Sequence, residues 1–116
     1  DDLDIMKQAI QHVDPDIFCL SFIYPEEALK IILSSDFVVT PDHIFIDINM
    51  PGVPGDKCLK TIRASRKHDH IPITLYSTSM PDTVAEALMS TGADHVFQKP
   101  VRLKTYQEIL SNILSS

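Results

Sequence analysis

The sequence lacks a long apolar run, internal repeats and any low-complexity segment or linker, and each absence excludes a class of protein. A membrane-spanning helix needs ~20 consecutive apolar residues, and no run in this chain approaches that length. The first residues, DDLD, are acidic where a secretory signal would be basic. We therefore expect one globular domain over residues 1–116, with no membrane partner.

Basic residues and cysteines are scarce as well. The chain has 10 lysines and arginines against 16 aspartates and glutamates, a net charge of −6. A nucleic-acid-binding domain needs a basic face, so we expect no direct contact with nucleic acid. The acidic balance suits a domain that collects a cation or meets a basic partner. Cys19 and Cys58 lie inside predicted elements without a metal-binding spacing, which is typical of reduced thiols in a cytoplasmic protein.

Segments typical of strands and of helices alternate along the chain. Short apolar runs predict buried strands at 17–24, 43–48, 73–77 and 95–99. Amphipathic spacing and prolines in the first turn predict helices at 3–13, from Pro25, at 56–66, from Pro81 and after Pro100. This alternation predicts an α/β fold, a doubly wound parallel sheet with right-handed crossovers and helices on both faces.

The helix from Pro81 carries signals at both ends. Ser79 with Asp82 resembles a capping box, and Gly92 is expected to end the helix. The residues predicted to form its inner face are Val84, Ala87 and Leu88.

One aspartate, Asp47, lies within the apolar stretch IFIDI. Burying a lone carboxylate costs several kcal/mol unless it is paired, metal-bound or protonated. Because Asp47 is near the end of its predicted strand, we expect the carboxylate to face a metal and solvent. The structural alternative is a strand-end residue that only caps the following loop.

Other polar residues also follow strand ends. Ser77 ends ITLYS, Lys99 ends HVFQK, and Asp1 and Asp2 precede the first helix. The carboxyl ends of parallel strands meet at one edge, so we expect these residues near Asp47. Clustered carboxylates repel one another, and Mg²⁺ held by carboxylates, a carbonyl and waters would relieve that repulsion. With Lys99 nearby, Asp47 becomes a candidate nucleophile for phosphoryl transfer.

Three motifs resemble the response-regulator receiver domain, the phospho-accepting module of two-component signalling. DINMPGVPG (47–55) matches the segment after the family's third strand, IPITLYST (71–78) its fourth strand, and GADHVFQKP (92–100) its Gly-Ala-Asp segment and Lys-Pro pair. Each motif alone is weak, but three in order on the expected elements form a strong signal. The resemblance implies a single receiver domain over residues 1–116 with the flavodoxin-like strand order 2-1-3-4-5 of the CheY-like superfamily.

The resemblance implies a role for each acidic residue. Asp47 would accept a phosphoryl group from a phosphohistidine of a sensor histidine kinase or a histidine phosphotransfer protein. Asp1 and Asp2 would hold Mg²⁺ together with Asp47 and the backbone carbonyl of Asn49. A downstream output protein or domain would read the phosphorylated state.

It also implies roles for the remaining residues at this edge. Ser77 would bond a phosphoryl oxygen, and Lys99 would pair with the phosphate. The Lys99–Pro100 peptide bond would be cis, a form that X–Pro bonds adopt at modest cost. Asn49 and Ser79 occupy positions that tune dephosphorylation in the family.

The chain departs from the family pattern at four points, one of which is Pro54 in place of a frequent aspartate. Val96 stands where an aromatic switch residue is common, and Thr78 where alanine is common. The family's first strand is missing. It would lie between the strands at 17–24 and 43–48, and its loss would leave backbone groups unpaired. We expect upstream residues, or another chain, to supply it.

Two rival hypotheses remain. Val96 and Thr78 favour a receiver-like interaction module that no longer takes phosphate, whereas the retained aspartate, hydroxyl and lysine disfavour it. The other rival is a hydrolase with an aspartyl-phosphate intermediate, as in haloacid-dehalogenase-type phosphatases. That mechanism needs a second aspartate two residues after the nucleophile, where Asn49 stands. We therefore expect a phosphoacceptor rather than an enzyme.

Overall fold

Helices and strands alternate along the chain. The computed structural model describes residues 2–34, 41–49, 54–65 and 70–115, with side chains from residue 6 onwards. The elements are α1 (Asp2–Val13), β1 (Cys19–Phe22), α2 (Pro25–Ile32), β2 (His43–Asp47), α3 (Gly55–Ala64), β3 (Ile73–Ser77), α4 (Asp82–Thr91), β4 (His95–Gln98) and α5 (Leu103–Ser115).

The strands form one parallel sheet in the order β1-β2-β3-β4. The predicted parallel α/β class is confirmed. β1 lies directly beside β2, in a register that runs from Cys19 opposite His43 to Phe22 opposite Ile46. The predicted gap between these strands is therefore wrong in the described part of the chain. Each strand supplies hydrogen-bond partners for the backbone groups of the other, which would be costly to leave unpaired.

Helices cover both faces of the sheet because alternate side chains of each strand point to opposite faces. The buried strand residues that pack with α2, α3 and α4 are Phe22, Ile44, Ile46, Ile73 and Leu75. The strand residues that pack with α1 and α5 are Phe45, Tyr76 and Phe97. With both faces occupied, the carboxyl ends of the strands are the expected place for a ligand.

α4 differs from its prediction in rotation and at its start. Of the predicted inner face, Leu88 is buried, but Val84 is 41% exposed and Ala87 is exposed. The predicted capping box is wrong, because Pro81 occupies the N-cap position and no side chain caps the helix. Gly92 ends α4 with a φ of 131°, a conformation that favours glycine, as predicted.

Arg63 of α3 joins three segments at the amino-terminal edge of the sheet. Its guanidinium donates to the carbonyl oxygens of Gly92 (3.1 Å) and Ile71 (3.2 Å) and to Asp94 Oδ2 (2.8 Å). The same Oδ2 accepts the backbone N–H of Ile73 at 2.8 Å. The turn between α4 and β4 is thereby tied to the start of β3.

None of the helices that the structure describes is long and apolar enough to cross a membrane.

Candidate functional site

Three strands end side by side at the carboxyl edge of the sheet. Asp47 ends β2 opposite Tyr76, Ser77 ends β3 opposite Gln98, and Lys99 follows β4 directly. The parallel register thus places a carboxylate, a hydroxyl and an ammonium group at one edge.

The Asp47 carboxylate is buried and bonded through both oxygens. Its Oδ2 lies 2.6 Å from Lys99 Nζ, and its Oδ1 accepts the backbone N–H of Asn49 at 2.8 Å. Asp47 is only 2% exposed. The expectation that this carboxylate faces solvent is therefore wrong. A cation and a backbone donor stabilise the buried charge instead, in charge-assisted hydrogen bonds.

Lys99 is positioned by backbone pairing. Its N–H donates to the Ser77 carbonyl at 2.8 Å, which extends the pairing of β3 and β4 by one residue. Its side chain is 7% exposed, and Nζ lies 5.3 Å from the centroid of the Tyr76 ring. The Lys99–Pro100 peptide is trans, as are the other described peptide bonds, so the predicted cis bond is wrong. The trans form is the preferred one for X–Pro bonds.

The Asn49 side chain connects the ends of β2 and β3. Its Oδ1 accepts the Ser77 hydroxyl at 3.1 Å and the Thr78 hydroxyl at 2.6 Å. Ser77 Oγ in turn accepts the N–H of Ser79 at 3.3 Å. Ser77 is therefore bonded to Asn49, and its hydroxyl does not bond the Asp47 carboxylate directly.

Two contacts of this edge were missed in the sequence. Thr78 was identified only as a departure from the family pattern, and its bond to Asn49 depends on how two loops meet. Gln98 Oε1 accepts the N–H of Met80 at 3.1 Å and so holds the loop after Ser77 against β4. Neither contact has a local sequence signal, because each joins residues far apart in the chain.

A buried histidine lies at the opposite end of β2. His43 is 3% exposed, and its Nε2 shares a hydrogen bond of 2.6 Å with Thr74 Oγ1. The pKa of His43 is lowered to about 4, chiefly by burial and also by nearby His95, while Asp94 acts in the opposite direction. This histidine is a core residue away from the carboxyl edge.

The predicted metal ligands are only partly described. Asp1 lies outside the described residues, and Asp2 begins α1 but its side chain is not described. Within the described part of the chain, no group of three or more His, Cys, Asp or Glu side chains could hold a metal. Asp47 and Asn49 offer oxygen donors, which a hard divalent cation prefers. Each carboxylate oxygen can accept more than one bond, so the pairing of Asp47 leaves room for a metal ligand role.

The described fold, a parallel sheet with helices on both faces, is the receiver fold. The chain belongs to the family of response regulator receiver domains, whose model matches residues 2–111. The match covers every element from α1 to β4 and most of α5.

Curated relatives are similar at modest identity. The chain is 31% identical over 88 residues to the two-component response regulator ORR4 of Oryza sativa subsp. indica, covering 70% of this chain and 38% of that protein. It is 28% identical over 120 residues to the chemotaxis protein CheY-3 of Vibrio cholerae, covering 97% of this chain and 86% of that protein. The chain thus spans less than two thirds of the rice relative.

Solved structures share the fold. The phosphorylated cyanobacterial phytochrome response regulator RcpA superposes with a TM-score of 0.79 at 19% identity, covering 97% of this chain and 82% of that chain. The response regulator Rcp1, solved with Mn²⁺ bound, has a TM-score of 0.73 at 19% identity, covering 95% and 84%. At this identity the likeness concerns the fold alone.

Proposed function

We propose that this receiver domain is a phosphorylation-controlled switch. Asp47 accepts a phosphoryl group from a phosphohistidine of a sensor histidine kinase or a histidine phosphotransfer protein. The observation that carries the proposal is the ion pair between Asp47 Oδ2 and Lys99 Nζ, 2.6 Å apart at the carboxyl edge. It puts a cation against the carboxylate that would carry the added negative charge. Membership in the receiver family supports the same assignment.

The proposed transfer exchanges one bond to phosphorus for another. An Asp47 oxygen forms a bond to phosphorus, the P–N bond of the phosphohistidine breaks, and the imidazole nitrogen keeps the bonding electron pair. Lys99 is the partner suited to move, because a flexible ammonium with three donors can follow the charge onto a phosphoryl oxygen. The Asn49 N–H is fixed by the backbone and stays with the acceptor carboxyl group.

We propose Mg²⁺ as the cofactor of this step. Its ligands would be Asp1, Asp2, Asp47 and the backbone carbonyl of Asn49, an all-oxygen set of the kind that hard divalent ions prefer. When bound, the ion would neutralise charge on the phosphoryl group. The Mn²⁺-bound form of Rcp1 is a related receiver with a divalent ion and supports this choice.

The phosphorylated state would be read at the face formed by α4, β4 and α5. Ser77 would exchange its bond to Asn49 for one to a phosphoryl oxygen, and the loop after it would follow. Four large apolar side chains are exposed on or beside these helices, namely Val84, Met89, Val101 and Leu103. We propose that an output protein or domain covers them, in the cytoplasm and without direct contact between this domain and nucleic acid.

One observation favours a second candidate function, an interaction module that takes no phosphate. Asp47 is 2% exposed, and both of its oxygens are already bonded. A phosphodonor can reach so buried a carboxylate only if the groups that cover it move aside. Under either candidate function, we propose that the protein does not hydrolyse phosphomonoesters. Aspartyl-phosphate hydrolases need an acid–base residue at the position of Asn49, and an amide cannot serve as one.

The deciding experiment is incubation of the protein with Mg²⁺ and a small phosphodonor, followed by intact mass spectrometry. We expect a gain of one phosphoryl group per chain, lost in Asp47→Asn and when Mg²⁺ is chelated. Asp82→Asn, which removes an exposed carboxylate at the start of α4, is the matched control and should be phosphorylated like the wild type.

Each outcome separates the candidates. An adduct that survives Asp47→Asn would assign the phosphoryl group to another residue and overturn the proposal. No adduct on the wild type would favour the unphosphorylated interaction module. Continuous release of product from a phosphomonoester would indicate a hydrolase.

A further inference from the structure

Two neighbouring hydroxyl groups share the amide oxygen of Asn49, and the two bonds are not equivalent. The Thr78 bond is 2.6 Å long and the Ser77 bond is 3.1 Å long. O–H···O bonds in proteins cluster between about 2.5 and 3.0 Å. Ser77 is therefore the more weakly held donor, and the other hydrogen bond of its side chain, accepted from the Ser79 N–H, is long at 3.3 Å.

The consequence concerns the cost of moving Ser77. A polar group that loses its last partner costs more than one that loses one of two. If the Ser77 hydroxyl turns towards a phosphoryl oxygen on Asp47, Asn49 still has its short bond to Thr78. Without the Thr78 hydroxyl, the same movement of Ser77 would leave water as the hydrogen-bond donor to the Asn49 amide oxygen.

We infer that Thr78 is a positioning residue for the phosphorylated state, whose hydroxyl holds the Asn49 amide and so frees Ser77 to bond the phosphoryl group. The inference rests on the proposed function, because it requires a phosphoryl group on Asp47. Thr78 and Asn49 are both exposed, so water compensates for part of a lost bond. One net hydrogen bond then corresponds to about a three- to tenfold change in an equilibrium constant.

The test uses variants that separate the hydroxyl from the shape of the side chain. Thr78→Val keeps the branched shape and removes the hydroxyl, whereas Thr78→Ser keeps the hydroxyl. Thr105→Val, at an exposed threonine of α5, is the matched control. Beryllium fluoride, a stable mimic of the phosphoryl group, is titrated in the presence of Mg²⁺, and the bound species is followed by fluorine NMR. If the wild type takes phosphate but not the mimic, the steady-state phosphorylated fraction replaces the titration.

We expect Thr78→Val to raise the apparent Kd about three- to tenfold, while Thr78→Ser and Thr105→Val stay within about twofold. In an Asn49→Ala background, Thr78→Val should have no further effect, because its partner is gone. A second readout needs no ligand. In the metal-free protein, the side-chain amide resonances of Asn49 should shift in Thr78→Val and remain in place in Thr78→Ser.

The outcomes distinguish this inference from the proposed function. A wild-type protein that takes neither phosphate nor the mimic overturns both. A wild type that takes either one, with Thr78→Val behaving identically, overturns the inference alone. Tighter binding by Thr78→Val would show that Thr78 obstructs the site, and equal losses in both Thr78 variants would show that the hydroxyl is not responsible. An effect that persists in the Asn49→Ala background would exclude Asn49 as the partner.

Discussion

Replacing Lys99 by methionine removes the charged partner that the buried Asp47 carboxylate has among the described side chains. The two side chains are 7% and 2% exposed, and their charged atoms lie 2.6 Å apart. At an effective dielectric constant of about 20, two unit charges at this distance attract by about 6 kcal/mol, and the desolvation of both ions offsets much of it. Removing one member of such a pair costs about 3–5 kcal/mol, because the other charge stays buried. We expect Lys99→Met to lower the free energy of unfolding by about this amount.

The partner variant should cost less. Asp47→Asn keeps an acceptor for the Asn49 N–H, and the flexible stem of Lys99 can carry its ammonium towards water. We expect a loss of about 1–3 kcal/mol, the cost of weakening a charged hydrogen bond. The double variant leaves no unpaired charge, so its loss should be smaller than the sum of the single losses by more than about 1 kcal/mol.

Urea unfolding at pH 7 measures all three variants. Lys104→Met, at an exposed lysine of α5, is the matched control and should lie within about 0.5 kcal/mol of the wild type. A loss below about 1 kcal/mol for Lys99→Met, or strictly additive losses in the double variant, would refute the reasoning. Either result would mean that this ion pair does not stabilise the buried carboxylate.

Three further predictions concern the opposite edge of the sheet. Burial, assisted by His95, lowers the pKa of His43 from 6.5 to about 4. Between pH 6.5 and about pH 4, His43 is therefore protonated in the unfolded chain but neutral in the folded protein. The free energy of unfolding should therefore fall by about 3 kcal/mol as the pH drops through that range. Urea unfolding as a function of pH measures this. If the stability of a His43→Gln variant falls as steeply as that of the wild type, the prediction is wrong. Arg63→Ala removes three hydrogen bonds, one of them to a half-exposed Asp94. It should lower the free energy of unfolding in urea by about 2–4 kcal/mol, and Arg63→Lys should recover only part of that loss. A loss below about 1 kcal/mol would show that Arg63 does not hold the α4–β4 turn to β3. Gly92→Ala places a side chain at a φ of 131°, with its Cβ 3.0 Å from Arg63 Cγ. It should lower the free energy of unfolding by about 1–3 kcal/mol in the same assay. An unchanged urea midpoint would show that the turn accepts alanine without strain.

Local patterns predicted the elements well. The runs IFCLSFIY, HIFIDI, ITLYS and HVFQK each contain one of the observed strands, and Pro25 does begin α2. These features depend on residues close together in the chain, such as the period of apolar side chains and the fixed φ of proline. The parallel connection of successive strands then brings their carboxyl ends to one edge, whatever the details of packing.

Predictions that depended on neighbours distant in the chain were less successful. Val84 is 41% exposed, although its spacing suits an inner face, because α4 does not close against the start of α3 there: Val84 and Ala87 line an open pocket with Gly55. The Ser79 capping box failed because the chain before Pro81 turns back towards β4, where Gln98 holds the Met80 N–H. The predicted gap beside β2 failed because β1 can pair with β2 directly.

The sequence by itself determined which residues end the strands at the carboxyl edge, because a strand ends where its apolar run stops and turn residues begin. It indicated that Asp47, Ser77 and Lys99 lie near one another, but not which of their atoms form hydrogen bonds. Only the tertiary structure decided that Asp47 is buried between Lys99 and the Asn49 N–H and that Thr78 shares the Asn49 amide with Ser77. Those bonds join residues from different strands and loops, and hydrogen bonding depends on distance and angle, which exist only once the strands are side by side.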